Sequence, residues 1–274
     1  MFTLEYKNEY GVLSFGGGSH PVWNVTEITG LGLADKNISY VTFKGEDGRL
    51  TTDMTMKERT ITMSGDIISD NLTEEISRAV NILSHEGDIV INKMRLIHCN
   101  SVVFPDTKRY GKAAKFTMQF ICDEPYFGES DILSKTVLDV KNHISDTFTL
   151  PMVFSTYLTS GTINIKGNSK TAPVIYITNI GAISSDTITL VNENTGKSIS
   201  LNYFPESGEI IEIDIDKRSV KGSIFGNLLH RLAPDTRLSD FYLHYGDNKI
   251  FLENNLEGIN VTLKYRNKYA SAIY

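Results

Sequence analysis

Phe116-Thr-Met-Gln-Phe-Ile-Cys122 puts Phe116, Met118, Phe120 and Cys122 on one side of an extended chain, with Thr117 and Gln119 on the other. Successive side chains of a strand point to opposite faces, so this alternation predicts a strand with one face in a core and one in water. The same period returns in Ile211, Ile213 and Ile215, set against Glu212, Asp214 and Asp216. It returns again in Ile259, Val261, Leu263 and Tyr265, set against Asn260, Thr262, Lys264 and Arg266. Each reads as a half-buried antiparallel strand. Turn formers stand between the strand-like runs: Gly45-Glu-Asp-Gly48, Asn194-Thr-Gly196, Pro205-Glu-Ser-Gly208 and Gly246-Asp-Asn248. The chain is expected to be mainly β.

One segment departs from this period. Between Asn71 and Gly87, Ile76, Ala79, Val80 and Leu83 recur at helical spacing. Asn71 followed by Glu74 is a capping-box pattern, and Gly87 stands where a left-handed residue would end the helix. A single amphipathic helix packed on a sheet is expected, with a second, short helical turn around residues 226–233. The polar stretch Gly128-Glu-Ser-Asp-Ile-Leu-Ser134 marks a boundary. Residues 1–131 read as a β-barrel-like domain with the helix, and residues 132–274 as a β-sandwich.

With 274 residues, 41% of them hydrophobic, the chain can bury a proper core. Its formal net charge of -6 argues against the broad basic face that nucleic-acid binding needs. The start, Met1-Phe-Thr-Leu-Glu-Tyr-Lys7, lacks a basic segment leading into an apolar one, and no window approaches a membrane span. A soluble protein made in a cytoplasm is expected. Cys99 and Cys122 are too few for a disulfide framework and read as reduced, buried thiols.

Motifs for chemistry fail one after another. Gly16, Gly17 and Gly18 are not followed by the Lys-Ser/Thr of a phosphate loop, and Pro21 replaces the last glycine of a nucleophile elbow around Ser19. Gly30-Leu-Gly32 has Asp35 where a dinucleotide fingerprint wants Gly or Ala. His85-Glu86 begins a zinc-protease motif whose second histidine would fall at Ile89. Asp123 and Glu124 are adjacent, so on a strand they cannot flank one glycosidic bond. No catalytic residue, metal ligand or cofactor site is expected. A sugar site remains open as the alternative, a β-sandwich recognising cell-surface glycans. Tyr157, Tyr176, Tyr203, Tyr242, Tyr245 and Tyr265 are its aromatic candidates, although most fit core or interface positions better.

The order of features along the chain resembles the phage distal tail protein family. Val22-Trp-Asn-Val-Thr-Glu-Ile-Thr-Gly-Leu-Gly32, the Gly45 to Gly48 turn, Arg59-Thr-Ile-Thr-Met-Ser-Gly65, the single helix and the run from Phe116 to Phe127 look like that family's first domain. The runs 207–216, 243–250 and 261–266, with Tyr269, are similar to its galectin-like second domain. The resemblance implies a homohexameric ring at the tip of a phage tail or on the baseplate of a phage-tail-like bacteriocin, assembled in the host cytoplasm. Its partners would be the tail tube protein, the tail-associated hub and receptor-binding or baseplate proteins, without direct nucleic-acid binding or membrane insertion. The chain has no room for the sugar-binding modules inserted in longer members.

A ring subunit needs two different complementary surfaces, and a hairpin is a common way to reach a neighbour. Residues 44–59, polar and centred on a turn, are the expected arm, with Lys44, Asp47, Arg49, Asp53, Lys57 and Arg59 as its contact residues. Trp23 is expected to be packed or at a subunit contact. The triple glycine reads as a turn folding the N-terminal strand back.

Overall fold

The computed structural model describes residues 2–18, 21–45, 47–104, 107–142, 155–158, 160–180, 187–253 and 258–272, with the backbone alone for 139–142 and 155–158. Ser19 and His20 lie outside the described residues. The chain forms two compact units, residues 1–131 with 268–274, and residues 132–267.

The first unit contains β1 (Thr3–Asn8), β2 (Gly11–Gly16), β3 (Trp23–Thr29), β4 (Lys36–Val41), β5 (Leu50–Met56), β6 (Arg59–Ile68), α1 (Leu72–Leu83), β7 (Gly87–Ile91), β8 (Arg95–Cys99), β9 (Ser101–Val103), β10 (Lys108–Tyr110), β11 (Ala113–Cys122) and β12 (Phe127–Glu129). Its main sheet runs β10-β11-β6-β3-β2-β1-β7-β8-β12, and β9 pairs with β11. Only Asn100 separates β8 from β9, and its amide donates to Ile121 O at 2.9 Å, so the chain leaving β8 returns to β11 and closes the sheet into a barrel-like wall.

Alternation builds that wall. Ile61, Met63 and Ile67 of β6 and Phe116, Met118, Phe120 and Cys122 of β11 face one core with Leu4, Tyr6, Leu13 and Phe15. Trp23 is 1% exposed and meets Phe15 and Phe116 edge-on at ring-centre distances of 5.5 and 5.2 Å. Both cysteines are buried and free.

Helix α1 covers this core with Leu72, Ala79, Ile82 and Leu83. Its caps differ from the expectation. The Asn71 side chain donates to Glu74 Oε2 at 2.9 Å instead of accepting a backbone N–H, so no reciprocal box forms. The helix ends at Leu83, and Ser84 caps it by donating its hydroxyl to Val80 O at 2.6 Å. Gly87 opens β7 instead. A Cβ there would stand 2.8 Å from Lys7 O and 2.9 Å from the Tyr6 ring, so close strand packing explains this glycine. Val80 is turned outward and Ile82 takes its place on the buried stripe.

The second unit contains β13 (Leu133–Asn142), β14 (Ser155–Leu158), β15 (Ser160–Ile165), β16 (Val174–Asn179), β17 (Ile188–Asn192), β18 (Lys197–Leu201), β19 (Ile210–Asp214), β20 (Ser219–Gly222), β21 (Gly226–Asn227), β22 (Gly246–Leu252) and β23 (Ile259–Tyr265). A short 3-10 turn, Leu229–Arg231, occupies the place of the expected helical turn. Two antiparallel sheets, β14-β13-β23-β16-β19-β20-β21 and β15-β22-β17-β18, share one core. Ile175, Ile177, Ile211, Ile213, Val261 and Leu263 come from the first sheet; Ile163, Ile165, Leu190, Ile199 and Ile250 come from the second. This is a β-sandwich.

The last strand, β24 (Lys268–Tyr269), pairs with β12 and so groups with the first unit, outside the 132–274 span expected for the second domain. The Arg95 guanidinium lies 3.6 Å from the centre of the Tyr269 ring and helps hold this strand in place.

Candidate assembly surface

Strands β4 and β5 form a two-stranded ribbon of their own, paired from Lys36↔Met56 to Val41↔Leu50. At its base the Lys57 amide donates to Asp35 O at 2.8 Å. The ribbon spans residues 36–56, whereas the residues expected to form an arm, 44–59, take in β5 and leave out β4. A ribbon needs both strands, and only one lay inside the expected range.

Register separates the ribbon's two faces. Ile38 opposes Met54 on one face, and Tyr40 and Met56 lie on that same face further along the strands. Asn37 opposes Thr55 and Ser39 opposes Asp53 on the other. Ile38, Tyr40 and Met54 are 44%, 53% and 56% exposed, so this apolar face meets solvent; on the other face the end pair Val41 and Leu50 is exposed as well. Arg49 stacks its guanidinium 4.5 Å from the Tyr40 ring centre.

Lys44, Asp47, Arg49 and Asp53 are exposed on this ribbon, and Lys57 is half-buried at its foot. Arg59 does not belong with them. It begins β6, is 3% exposed, and donates to Gly30 O, Gly32 O, Pro125 O and Ala270 O at 2.5 to 2.9 Å. It is a structural residue of the first unit, since a buried guanidinium with its donors occupied cannot also reach a neighbour. Trp23 is packed: its Nε1 donates to Glu75 Oε1 at 2.7 Å. The Arg78 hydrogen bond, and then that of Trp23, hold the Glu75 carboxyl below the usual carboxylate range.

The residues expected to make contact are the ribbon's polar ones, and Ile38, Tyr40 and Met54 are not among them. Their signal was the period-2 alternation of Lys36-Asn-Ile-Ser-Tyr-Val41, which by itself does not say whether the apolar face is covered by the same chain.

Elsewhere, His98 on β8 lies in a cleft of about 680 Å3. Its Nδ1 is 3.0 Å from Asp88 and its Nε2 is 3.7 Å from Glu86. The Asp88 hydrogen bond pushes the imidazole pKa up. Ser84 lines the same cleft but donates its hydroxyl to Val80 O, so it does not pair with this base as a nucleophile would. Among the described residues no group of three or more His, Cys, Asp or Glu side chains could hold a metal, and no helix is long and apolar enough to cross a membrane.

The tyrosines of the second unit divide. Tyr265 is in the core, Tyr203 donates to the buried Glu209 at 2.5 Å, and Tyr176 and Tyr242 lie under the ammonium groups of Lys264 and Lys170. Tyr245 is 75% exposed, and the Tyr157 side chain lies outside the described residues.

Residues 166–269 match the family described as siphovirus-type tail component, C-terminal domain. Among solved structures, the chain is similar to SPP1 Dit (gp 19.1), described as a paradigm of the hub adsorption apparatus in Gram-positive infecting phages. The TM-score is 0.70 and the identity 13%, over 98% of this chain and 99% of that one. A chain of the phage p2 baseplate in its activated conformation with strontium gives a TM-score of 0.48 at 11% identity, over 96% of this chain and 98% of that one. No curated protein matches. Residues 166–269 are thus similar to the C-terminal domain of siphovirus-type tail components, and the chain as a whole has the fold of SPP1 Dit.

Proposed function

We propose that this protein is a structural part of a phage tail tip, forming a hexameric ring that joins the tail tube to a tail-associated hub. In this reading the first unit makes the ring, and the second carries receptor-binding or baseplate proteins. The observation that carries it is the β4–β5 ribbon, whose apolar face of Ile38, Tyr40 and Met54 meets solvent in the single chain and so supports a contact with another copy.

The contact is head-to-tail, because the ribbon and whatever receives it are different surfaces; such contacts repeat until they close. The net charge of -6 suits a ring through which DNA passes, since a basic lining would retain it. Mass photometry and negative-stain microscopy of the purified chain test the reading. Six-fold rings with a central opening, at six times the chain mass, are expected. Replacing residues 38–54 by a short glycine-serine turn should leave a folded monomer; rings of unchanged mass from that variant would reject the ribbon as the arm.

A further inference from the structure

Cys99 ends β8 and Cys122 ends β11, and both thiols are buried in the core of the first unit. Strand β9 pairs with β11 through Val102↔Phe120 and Ser101↔Ile121. Asn100 carries the ladder on: its amide donates to Ile121 O at 2.9 Å, and its side-chain oxygen accepts the Asp123 amide at 3.0 Å. Phe120 and Cys122 stand two residues apart on β11 and face the core; across from them Val102 and Cys99 stand three apart and pack in the same core. The extra residue is taken up at exposed Asn100 and Ser101, as in a bulge, and swings Cys99 to the place opposite Cys122.

Residues opposite one another on antiparallel strands have Cα atoms about 4.5 to 5.5 Å apart, inside the span of about 4.4 to 6.8 Å that a disulfide bridges. The two thiols already meet in a hydrogen bond. That bond holds the Cys99 thiol below its ordinary range, while the same bond, and then burial, push Cys122 up. Cys99 is therefore the nucleophile of the pair and Cys122 the resolving thiol. A small oxidant reaches them when β9 opens, a strand of three residues that among the described residues is paired with β11 alone.

We propose that Cys99 and Cys122 are an oxidation site that takes peroxide as its co-reactant and closes to a disulfide stapling β8 to β11. The Cys99 thiolate attacks one peroxide oxygen, the O–O bond breaks, and the leaving hydroxide takes up the proton that Cys99 gave, as the first water. The Cys122 sulfur then attacks the sulfenic sulfur, and its proton leaves with the hydroxyl as the second water. Two thiols are oxidised and one peroxide is reduced. A reducing cytosol keeps such a pair open, and an oxidising exterior closes it. The staple makes a loop of residues 99–122 and locks the place where the wall of the first unit closes. It does not rest on the ring reading, and either holds without the other.

The test treats the purified full-length chain with hydrogen peroxide, blocks the remaining thiols and digests with trypsin in the absence of reductant. Cleavage after Arg95, Lys108, Lys115 and Lys135 puts Cys99 and Cys122 on separate peptides, 96–108 and 116–135. The expected product is these two peptides joined, from a chain that runs as a monomer on a non-reducing gel, and parted again by dithiothreitol. With Trp23 fluorescence as the probe, the oxidised chain should unfold at a urea midpoint about 1 M higher, and Cys122→Ser should show no such rise. Peptides that stay apart, cysteines oxidised singly, two chains cross-linked to each other, or an unmoved midpoint overturn the proposal.

Discussion

The guanidinium of Arg59 lies 4.3 Å from the centre of the Phe127 ring, at the start of β6 and of β12 respectively. The same group gathers carbonyls from three other places: Gly30 and Gly32 after β3, Pro125 before β12, and Ala270 after β24. Arg59→Ala leaves those buried carbonyls unpaired, and the expected loss is about 3 kcal/mol or more. Arg59→Lys keeps the charge but not the fork of donors, and about 2 kcal/mol is expected to be lost. Urea midpoints of the two variants check both values.

Gly30 supplies one of those carbonyls from a backbone with φ of +86°. A Cβ at this position would stand 2.2 Å from Thr60 O. Gly30→Ala therefore strains the turn and pushes β6 away, at an expected cost of at least about 2 kcal/mol. The loss should appear in the thermal transition of the first unit and leave that of the second unit unchanged.

Trp23 makes that separation measurable, because it is the only tryptophan and belongs to the core of the first unit. Its fluorescence reports one unit, whereas circular dichroism reports the strands of both. The two cores are separate clusters, so the two probes are expected to give different urea midpoints. Coincident curves would show the units unfolding as one.

His98 gives a test with a definite sign. Asp88, and more distantly Glu86, raise the His98 pKa above its ordinary 6.5, so the folded chain holds this proton where the unfolded chain releases it. The stabilisation is complete below the ordinary pKa and disappears as pH rises through the raised one. Because the imidazole side chain is 47% exposed, solvent screening limits the effect to less than about 1 kcal/mol. Between about pH 6 and pH 8 the urea midpoint should fall, and His98→Gln should remove the part due to this group.

Local pattern carried the strands and failed where distant parts of the chain decide. Phe116, Met118 and Phe120 alternate because one face of β11 is buried, and that mark is visible in seven residues. Arg59 looked like one more charge of a polar hairpin, since its partners at Pro125 and Ala270 are 66 and 211 residues away. Gly87 carried a proper helix-stop signal, but its real constraint comes from Lys7 and Tyr6 on β1. Ile38 and Met54 alternate as core residues would, and nothing local tells a face covered by the same chain from one left open to solvent.

That last ambiguity leads to the sharpest test of the ribbon. Ile38 and Met54 are 44% and 56% exposed, so Ile38→Ser with Met54→Ser should change the stability of the single chain by no more than about 0.5 kcal/mol for each substitution. In the proposed ring the ribbon's apolar face is covered, and losing two such contacts would cost about 3 kcal/mol per interface. The concentration needed for assembly should then rise about 100-fold. Asp53→Asn alters the opposite face and keeps an oxygen for the Met54 amide, so it should assemble as the unaltered chain does. Mass photometry across a dilution series separates the two variants. If Asp53→Asn blocks assembly and the serine pair does not, the polar face is the one that carries the contact.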